Sequence, residues 1–204
     1  MKQSFKIKMY FTRINIKMLQ VNFTPFPALY TDRLLLRRIS ETDIPQMLAL
    51  RSNDTIMKYI DKEDAGSLTA VQELYKKMDE NVVNNEGIVW AITLKENPGL
   101  LIGYIGFWRL MKEHYRAETG YMLLPEFWGK GIMKEAMEKT LAYGFHTMKL
   151  HSVEGRINPG NMASAALLKS TGFVREGYFK EDFFFKGKFG DTEVYSRLKD
   201  RVTS

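Results

Sequence analysis

The chain of 204 residues contains no cysteine, only three histidines and no long apolar run. Without cysteine it cannot form disulfides, thiolate metal sites or an acyl-cysteine intermediate. The histidines, His114, His146 and His151, lack the spacing of a metal motif such as His-Glu-x-x-His, so we expect no metal. A membrane helix needs about 18 or more consecutive apolar residues, so we expect no membrane partner. These absences favour a globular protein of a reducing cytoplasm.

Positive charge is concentrated near the N-terminus. Residues 1–17 contribute five of the six net positive charges, and the remainder of the chain is almost neutral. A nearly neutral body lacks the basic surface that nucleic acid requires, so we expect no nucleic-acid partner. The basic segment could bind a ribosome or a membrane surface. We favour the simpler interpretation: residues 1–30 are an N-terminal extension whose first 17 residues lie outside the fold, and residues 31–204 form one domain.

The most informative segment is a predicted strand followed by a glycine-containing turn and a helix. Residues 119–124 are apolar and aromatic and stop at Pro125, which is typical of a strand. From residue 132 to 148, apolar residues recur with a period close to 3.6, which predicts an amphipathic helix. Gly129 and Gly131 would let backbone N–H groups at the helix start approach a phosphate or pyrophosphate. The charged residues fall on the opposite face of that helix: Lys134, Glu135, Glu138 and Lys139.

Two common glycine motifs do not fit this turn. A P-loop needs Gly-Lys followed by Ser or Thr, whereas Lys130 is followed by Gly131. A dinucleotide-binding fingerprint needs a third small residue where this chain has Lys134. For a lone Gly-x-Gly, a tight turn without a ligand would be the simpler interpretation. A second block, residues 158–173, favours the functional one.

Together the two blocks resemble the GNAT superfamily of acyl-CoA-dependent N-acyltransferases, and within it the Rim type, the N-terminal acetyltransferases of ribosomal proteins. The resemblance spans residues 31 to about 198. It implies an α/β fold of the GNAT type, a mixed sheet of about seven strands with helices on both faces. The order and spacing of five pieces carry it: Thr31–Arg37, Glu118–Tyr121, Trp128–Gly131, Asn161 with Ser164, and Thr171–Phe173.

The resemblance also implies acetyl-CoA as the cosubstrate. Its pyrophosphate would lie on the backbone amides of residues 129–133, with added charge from Lys130, and its pantetheine arm would pair with residues 121–124 like an extra strand. Asn161 would contact the same arm, a role that can coexist with that of a helix N-cap. The predicted cofactor-binding residues are Met122, Leu123, Leu124, Gly129, Lys130, Gly131, Ile132, Met133 and Asn161.

Acetyl transfer requires a neutralised thiolate and an unprotonated amine. Much of the superfamily uses a Tyr in the helix after the Asn as the proton donor, but the corresponding residue here is Leu168. The resemblance to the Rim type implies that Ser164 is the proton donor instead. Alternatively, Ser164 only suits the first turn of a helix. Glu118 is the candidate general base, acting through water. In the alternative interpretation, Glu118 has no catalytic role and forms an ion pair with Arg116. The position where some relatives carry a second Glu is Phe183.

We predict an acetyl-CoA-dependent N-acetyltransferase that works by direct attack in a ternary complex, and the resemblance suggests a homodimer. An α-amine of pKa about 8 needs less activation than a lysine-type amine near 10.4. Together with the resemblance, this favours the α-amine of a peptide or protein N-terminus as acceptor. Two alternatives remain open: an acetyltransferase of small amines such as polyamines, antibiotics or amino acids, and an acyl-CoA-binding sensor without catalysis.

The remaining elements follow from the same periodicities and turn signals. In the polar segment 53–66, which the resemblance places beside the acceptor site, we expect Met57 and Tyr59 to pack as core. We predict strands over 33–38, 88–94, 101–108, 118–124, 152–157, 174–185 and 192–198, and helices over 40–52, 67–84, 132–148 and 161–172.

Overall fold

The computed structural model describes residues 18–60 and 66–199. The strands are β1 (Leu29–Tyr30), β2 (Leu34–Arg38), β3 (Ile88–Leu94), β4 (Gly103–Met111), β5 (Arg116–Leu123), β6 (Ser152–Ile157), β7 (Val174–Phe185) and β8 (Lys188–Leu198). The helices are α1 (Ile44–Arg51), α2 (Asp54–Met57), α3 (Leu68–Val83), α4 (Ile132–Ala142) and α5 (Met162–Ser170). No helix in these described ranges is long and apolar enough to cross a lipid bilayer.

The eight strands form one mixed sheet in the order β1-β2-β3-β4-β5-β6-β8-β7. Every neighbouring pair is antiparallel except β5 and β6, which are parallel. The predicted mixed sheet of about seven strands is therefore confirmed. The additional strand, β1, has only two residues, too few for an alternating pattern to be recognised in the sequence.

Apolar side chains pack on both faces of the sheet, as the continuously apolar strand β3 requires. Ile88, Trp90 and Ile92 are buried with α4 and α5, and the intervening Val89 and Ala91 are buried with α1 and α3. Successive side chains of a strand point to opposite faces, so these two clusters lie on opposite sides of the sheet. The prediction of helices on both faces is confirmed.

The segment before β1 packs on the domain. Leu19 and Phe23, which we placed in the N-terminal extension, are only 3% and 1% exposed and belong to the core that contains α4 and α5. The Trp90 indole donates a hydrogen bond to the Pro27 carbonyl at 2.7 Å. This segment has no helical or strand periodicity, so its burial could not be predicted from the residue pattern. Residues 1–17, predicted to lie outside the fold, are outside the described residues.

The helix predicted over 132–148 is divided in two. The α-helix α4 ends at Ala142, and a π-helical turn, Tyr143–Thr147, follows it. Gly144 lies in this turn against the Phe107 ring, which a Cβ atom would approach to 2.9 Å. The apolar period continues through both parts, so the sequence pattern did not distinguish the π-helical turn from the α-helix.

Candidate active site

The site is built around a gap between the two parallel strands of the sheet. Strands β5 and β6 pair over only three residues each, from Arg116 opposite Ser152 to Glu118 opposite Glu154. Beyond that point β5 continues to Leu123 and β6 to Ile157, but their pairing has ended. The separated strand edges leave room for a ligand inside the sheet.

The main chain of β5 presents polar groups toward this gap. The Leu124 N–H bonds to the Ile102 carbonyl on the β4 side. Peptide groups alternate in direction along a strand, so the N–H and C=O groups of Leu123 and Tyr121 point toward the gap. The Leu123 carbonyl accepts a hydrogen bond from the Trp128 indole at 2.7 Å. The edge of β5 can therefore add a pantetheine-like chain mainly through Tyr121 and the Leu123 N–H.

A glycine turn and a helix N-terminus lie at the end of β5. Gly129 and Gly131 have φ values of +70° and +73°, in the left-handed region that glycine adopts without strain. Gly131 is the N-cap of α4 and provides no side-chain cap. The first N–H groups of α4 thus have no partner within the helix, and they carry the partial positive charge that suits a pyrophosphate.

The glycine turn is anchored to the link between β1 and β2, about a hundred positions away in the chain. Glu135 of α4 accepts hydrogen bonds from the Thr31 hydroxyl at 2.6 Å and from the Arg33 backbone N–H at 3.0 Å, and it pairs with the Arg33 guanidinium. Arg33 also donates to the Lys130 carbonyl inside the turn at 2.9 Å. Partial burial of Glu135 opposes ionisation, but the bonds from Thr31 and Arg33 outweigh it and lower the pKa of Glu135. Thr31 and Arg33 of the recognised Thr31–Arg37 piece therefore position the turn.

We expect Glu135→Gln to weaken this anchor in a pH-dependent way. A group whose pKa is lowered by folding stabilises the fold above its unfolded pKa of about 4.3 and loses that contribution as the pH falls through the folded value. The difference in melting temperature between wild type and variant should thus be largest above about pH 4.5 and disappear in stronger acid. Thermal melts across a pH series measure it.

Glu80→Gln is the matched control for this series. Glu80 forms an exposed pair with Lys76 on α3, 3.9 Å apart. Exposed pairs of this kind contribute little, so the control should melt like wild type at every pH. A Glu135→Gln difference that stays constant down to pH 3 would contradict the anchoring role of the ionised carboxylate.

A cavity of about 850 Å³ runs along the gap and the glycine turn. Such a volume suits a small-molecule or cofactor site. Eight predicted site residues line it: Met122, Leu123, Gly129, Gly131, Ile132, Met133, Asn161 and Ser164. Three others, Glu118, Leu124 and Lys130, are not among its lining residues.

Lys134 lines the cavity, whereas Lys130, for which we predict added charge at the pyrophosphate, does not. The Lys130 ammonium lies over the Phe127 ring, 5.6 Å from its centre, whereas Lys134 lines the cavity from the first turn of α4. We had placed Lys134 on the solvent face because of its helical phase. The helical period predicts the direction in which a side chain points about the helix axis. A residue in the first turn also borders the space beyond the N-terminal end of the helix, which the period does not describe.

Asn161 and Ser164 lie at the start of α5. The Asn161 Oδ1 accepts a hydrogen bond from the Ser164 backbone N–H at 3.0 Å, so Asn161 is the N-cap of this helix. The cap uses the backbone of Ser164 and leaves its hydroxyl available to the cavity. Leu168 is fully buried against Gly155 and does not line the cavity.

Tyr121 is a site residue that the sequence interpretation did not identify by its side chain. Its ring packs with the α4 and α5 cluster and lines the cavity. Its hydroxyl is buried and forms no hydrogen bond of good geometry within the described residues. Burial raises the pKa of Tyr121 to about 12, against an opposing effect of the neighbouring Ser164 hydroxyl.

Glu118 does not pair with Arg116, the alternative considered from the sequence. It lies 3.8 Å from Arg109, while Arg116 pairs with Glu154. The cause is a bulge in β4 between Phe107 and Arg109, which places Arg109 opposite Glu118. The pKa of Glu118 is raised, mainly because of burial. The positive charge of Arg109 opposes this shift, and the negative charge of Glu154 adds to it.

The cavity lining also contains aromatic and basic side chains. Of the two residues expected in the core, Met57 packs there, whereas Tyr59 lines the cavity. Phe183 lines the cavity as well. Adjacent aromatic residues of the β7–β8 hairpin are instead exposed, including Phe179 at 49% and Phe184 at 63%. Further aromatic and charged residues of the lining include Arg51, Lys58, Tyr104, Trp108, Arg156 and Asp191.

Comparisons with known proteins identify the family of the chain. A family profile described as Acetyltransferase (GNAT) domain matches residues 33–174. The chain is 35% identical, over 86% of its length and 99% of the relative's, to YoaA of Bacillus subtilis, described as an uncharacterized N-acetyltransferase.

Two solved structures illustrate the fold. Spermidine N-acetyltransferase from Vibrio cholerae, in complex with CoA and spermine, is 26% identical, with a TM-score of 0.72 over 82% of this chain and 96% of that one. RimL, a ribosomal L7/L12 α-N-protein acetyltransferase in complex with CoA, is 18% identical, with a TM-score of 0.76 over 84% and 98%. At that identity RimL supports the fold alone. The chain belongs to the GNAT family and is an acetyl-CoA-dependent N-acetyltransferase.

Proposed function

We propose that this enzyme acetylates the α-amine of a peptide or protein N-terminus. The observation that carries the proposal is the shortage of carboxylates in the cavity lining. Among the described lining residues, Asp191 is the single acid, and Asp182, which is not one of them, pairs with the lining residue Arg156 at 3.0 Å. A polyamine carries several positive charges, and this lining offers only one carboxylate to bind them. A peptide N-terminus brings one amine and an apolar chain.

The chemistry of the amine supports the same choice. An α-amine with a pKa near 8 is about one-tenth unprotonated at pH 7, whereas a lysine-type amine near 10.4 is below about one-thousandth. The difference of about 2.4 pKa units corresponds to about 3.3 kcal/mol of activation. An enzyme with a weak general base can therefore use an α-amine more readily.

We propose the following residues for binding acetyl-CoA. The N–H groups at the start of α4 would hold the pyrophosphate, with Gly129 and Gly131 allowing its close approach and Lys134 adding charge. The β5 edge at Tyr121–Leu123 would pair with the pantetheine arm, and Asn161 would contact that arm while capping α5. The separated strands and the left-handed glycines fit such a ligand.

When bound, acetyl-CoA supplies the acetyl group as a thioester. The amine nitrogen forms the new C–N bond, the C–S bond breaks with its electron pair on sulfur, and the proton lost by nitrogen finally neutralises sulfur. We propose that Ser164 delivers a proton to the sulfur. We propose that Glu118 removes the amine proton through water, because it directly precedes the cavity-lining residue Thr119 on β5 and its pKa is raised by burial.

The proposal is tested with a panel of acceptors that separates the two amine classes. We expect a short peptide with a free α-amine and no lysine to exceed spermidine at least tenfold in kcat/KM, a gap of about 1.4 kcal/mol. The matched control is the same peptide with a formylated N-terminus and an added lysine, which should react poorly. Mass spectrometry of the products locates the acetyl group.

Acetylation of small amines is the second candidate. It is favoured by a relative named spermidine N(1)-acetyltransferase, from Vibrio cholerae, which is 27% identical over 79% of this chain. If spermidine or an aminoglycoside exceeds every peptide by tenfold in kcat/KM, the peptide proposal is wrong and this one replaces it.

A further inference from the structure

Ser164 is not the only hydroxyl beside the proposed position of the sulfur. Tyr121 Oη and Ser164 Oγ belong to residues that both line the cavity, one on β5 and the other on the first turn of α5. They are close enough for the serine hydroxyl to influence the pKa of the phenol. Two hydroxyl-bearing side chains, from β5 and α5, thus border the cavity that follows the gap between β5 and β6.

The Tyr121 hydroxyl has an unmet need for a hydrogen-bond partner. It is buried, and no acceptor in the described residues reaches it with good geometry. Burial without a hydrogen bond is costly, and buried polar groups in native proteins are rarely left in that state. In a site built for a ligand, the missing partner is readily explained as an atom of the ligand.

We propose that Tyr121 is a second hydrogen-bond donor to the thiolate of coenzyme A, acting beside Ser164. The inference rests on the proposed function, because it takes the position of the sulfur from the role assigned to Ser164. Sulfur in its anionic form accepts hydrogen bonds, so the buried phenol would gain its partner as the C–S bond breaks. A donor fixed in place where charge develops stabilises that charge without reorganising.

The phenol donates a hydrogen bond and keeps its proton. Its pKa of about 12 lies well above that of an ordinary thiol, about 8.5. Full transfer from Tyr121 to the thiolate would therefore be unfavourable, and the proton that neutralises sulfur originates from the amine nitrogen. In this arrangement Tyr121 stabilises the leaving group, and Ser164 gives its proton to sulfur as it takes up the one released by the amine, so neither hydroxyl is left ionised.

Tyr121→Phe tests the inference because it removes the hydroxyl and retains the ring. We expect kcat to fall about tenfold while the Kd for acetyl-CoA, measured by calorimetry, stays within about twofold of wild type. We also expect the pKa of the thiol of bound CoA to rise by about one unit, the same tenfold effect. Ultraviolet absorption of the thiolate during a pH titration of the complex measures this pKa.

Tyr143→Phe is the matched control. Tyr143 is half-buried against Trp90, with ring centres 5.5 Å apart, and is not among the residues lining the cavity. Burial raises its pKa as well, yet its variant should leave kcat and the pKa of the bound thiol unchanged.

The outcomes separate this inference from the proposed function. An unchanged thiol pKa in Tyr121→Phe, with or without a fall in kcat, overturns the inference, because a merely structural role would lower kcat alone. If Ser164→Ala lowers kcat and Tyr121→Phe changes neither quantity, the proposed function stands and the inference is wrong. Failure of wild type to bind acetyl-CoA would instead overturn the proposed function.

Discussion

Gly131→Val is expected to weaken acetyl-CoA binding at least 30-fold, about 2 kcal/mol. Gly131 has a φ of +73°, a conformation that is a genuine outlier for a β-branched residue. Valine would force the turn to shift, and the N–H groups of Ile132 and Met133 would shift with it. Since these groups are the proposed pyrophosphate site, their displacement removes the main polar contacts of the cofactor. Calorimetric titration of both proteins with acetyl-CoA measures the loss.

The control must carry the same backbone strain without touching the site. Gly187 meets this condition because it has a φ of +79°, has open space around its Cβ position and lies in the turn between β7 and β8. Gly187→Val should lose stability comparably, by about 1–2 kcal/mol, and bind acetyl-CoA like wild type. Equal affinity of Gly131→Val and wild type would show that the turn is not the cofactor site.

The second large effect is expected from Ser164→Ala. We expect kcat to fall about 100-fold, about 2.7 kcal/mol, with the Kd for acetyl-CoA within about twofold of wild type. The helix start should not suffer, because the N-cap bond runs from the Ser164 backbone N–H to the Asn161 side chain. The substitution therefore separates the proposed proton delivery from the alternative role as a helix-start residue.

Ser170→Ala provides the matched control on the same helix. The Ser170 hydroxyl donates to the Leu167 carbonyl at 2.8 Å, and Ser170 is not among the cavity-lining residues. Steady-state kinetics of the three proteins, with melting temperatures measured in parallel, should show the loss of kcat in Ser164→Ala alone. If Ser164→Ala turns over like wild type, Ser164 serves only the start of α5.

The sequence determined the local elements because their signals lie within a few residues. The continuously apolar segment 88–94 forms a central strand with the predicted bounds. Gly131 and Asn161 are N-caps at the positions expected from their residue types. Backbone propensity, side-chain period and capping act over one or two helical turns, so a single sequence contains them in full.

Only the tertiary structure decided which side chains meet at the site. Glu135 accepts a hydrogen bond from Arg33, which lies 102 positions away in the chain. The bulge in β4 places Arg109, and not Arg116, next to Glu118. The β5–β6 pairing ends early and leaves a gap, and the Tyr121 hydroxyl is buried near Ser164 beside the cavity. These contacts depend on strand order, register and the separation of two strands. Such properties arise from packing between distant segments, which local periodicity does not encode.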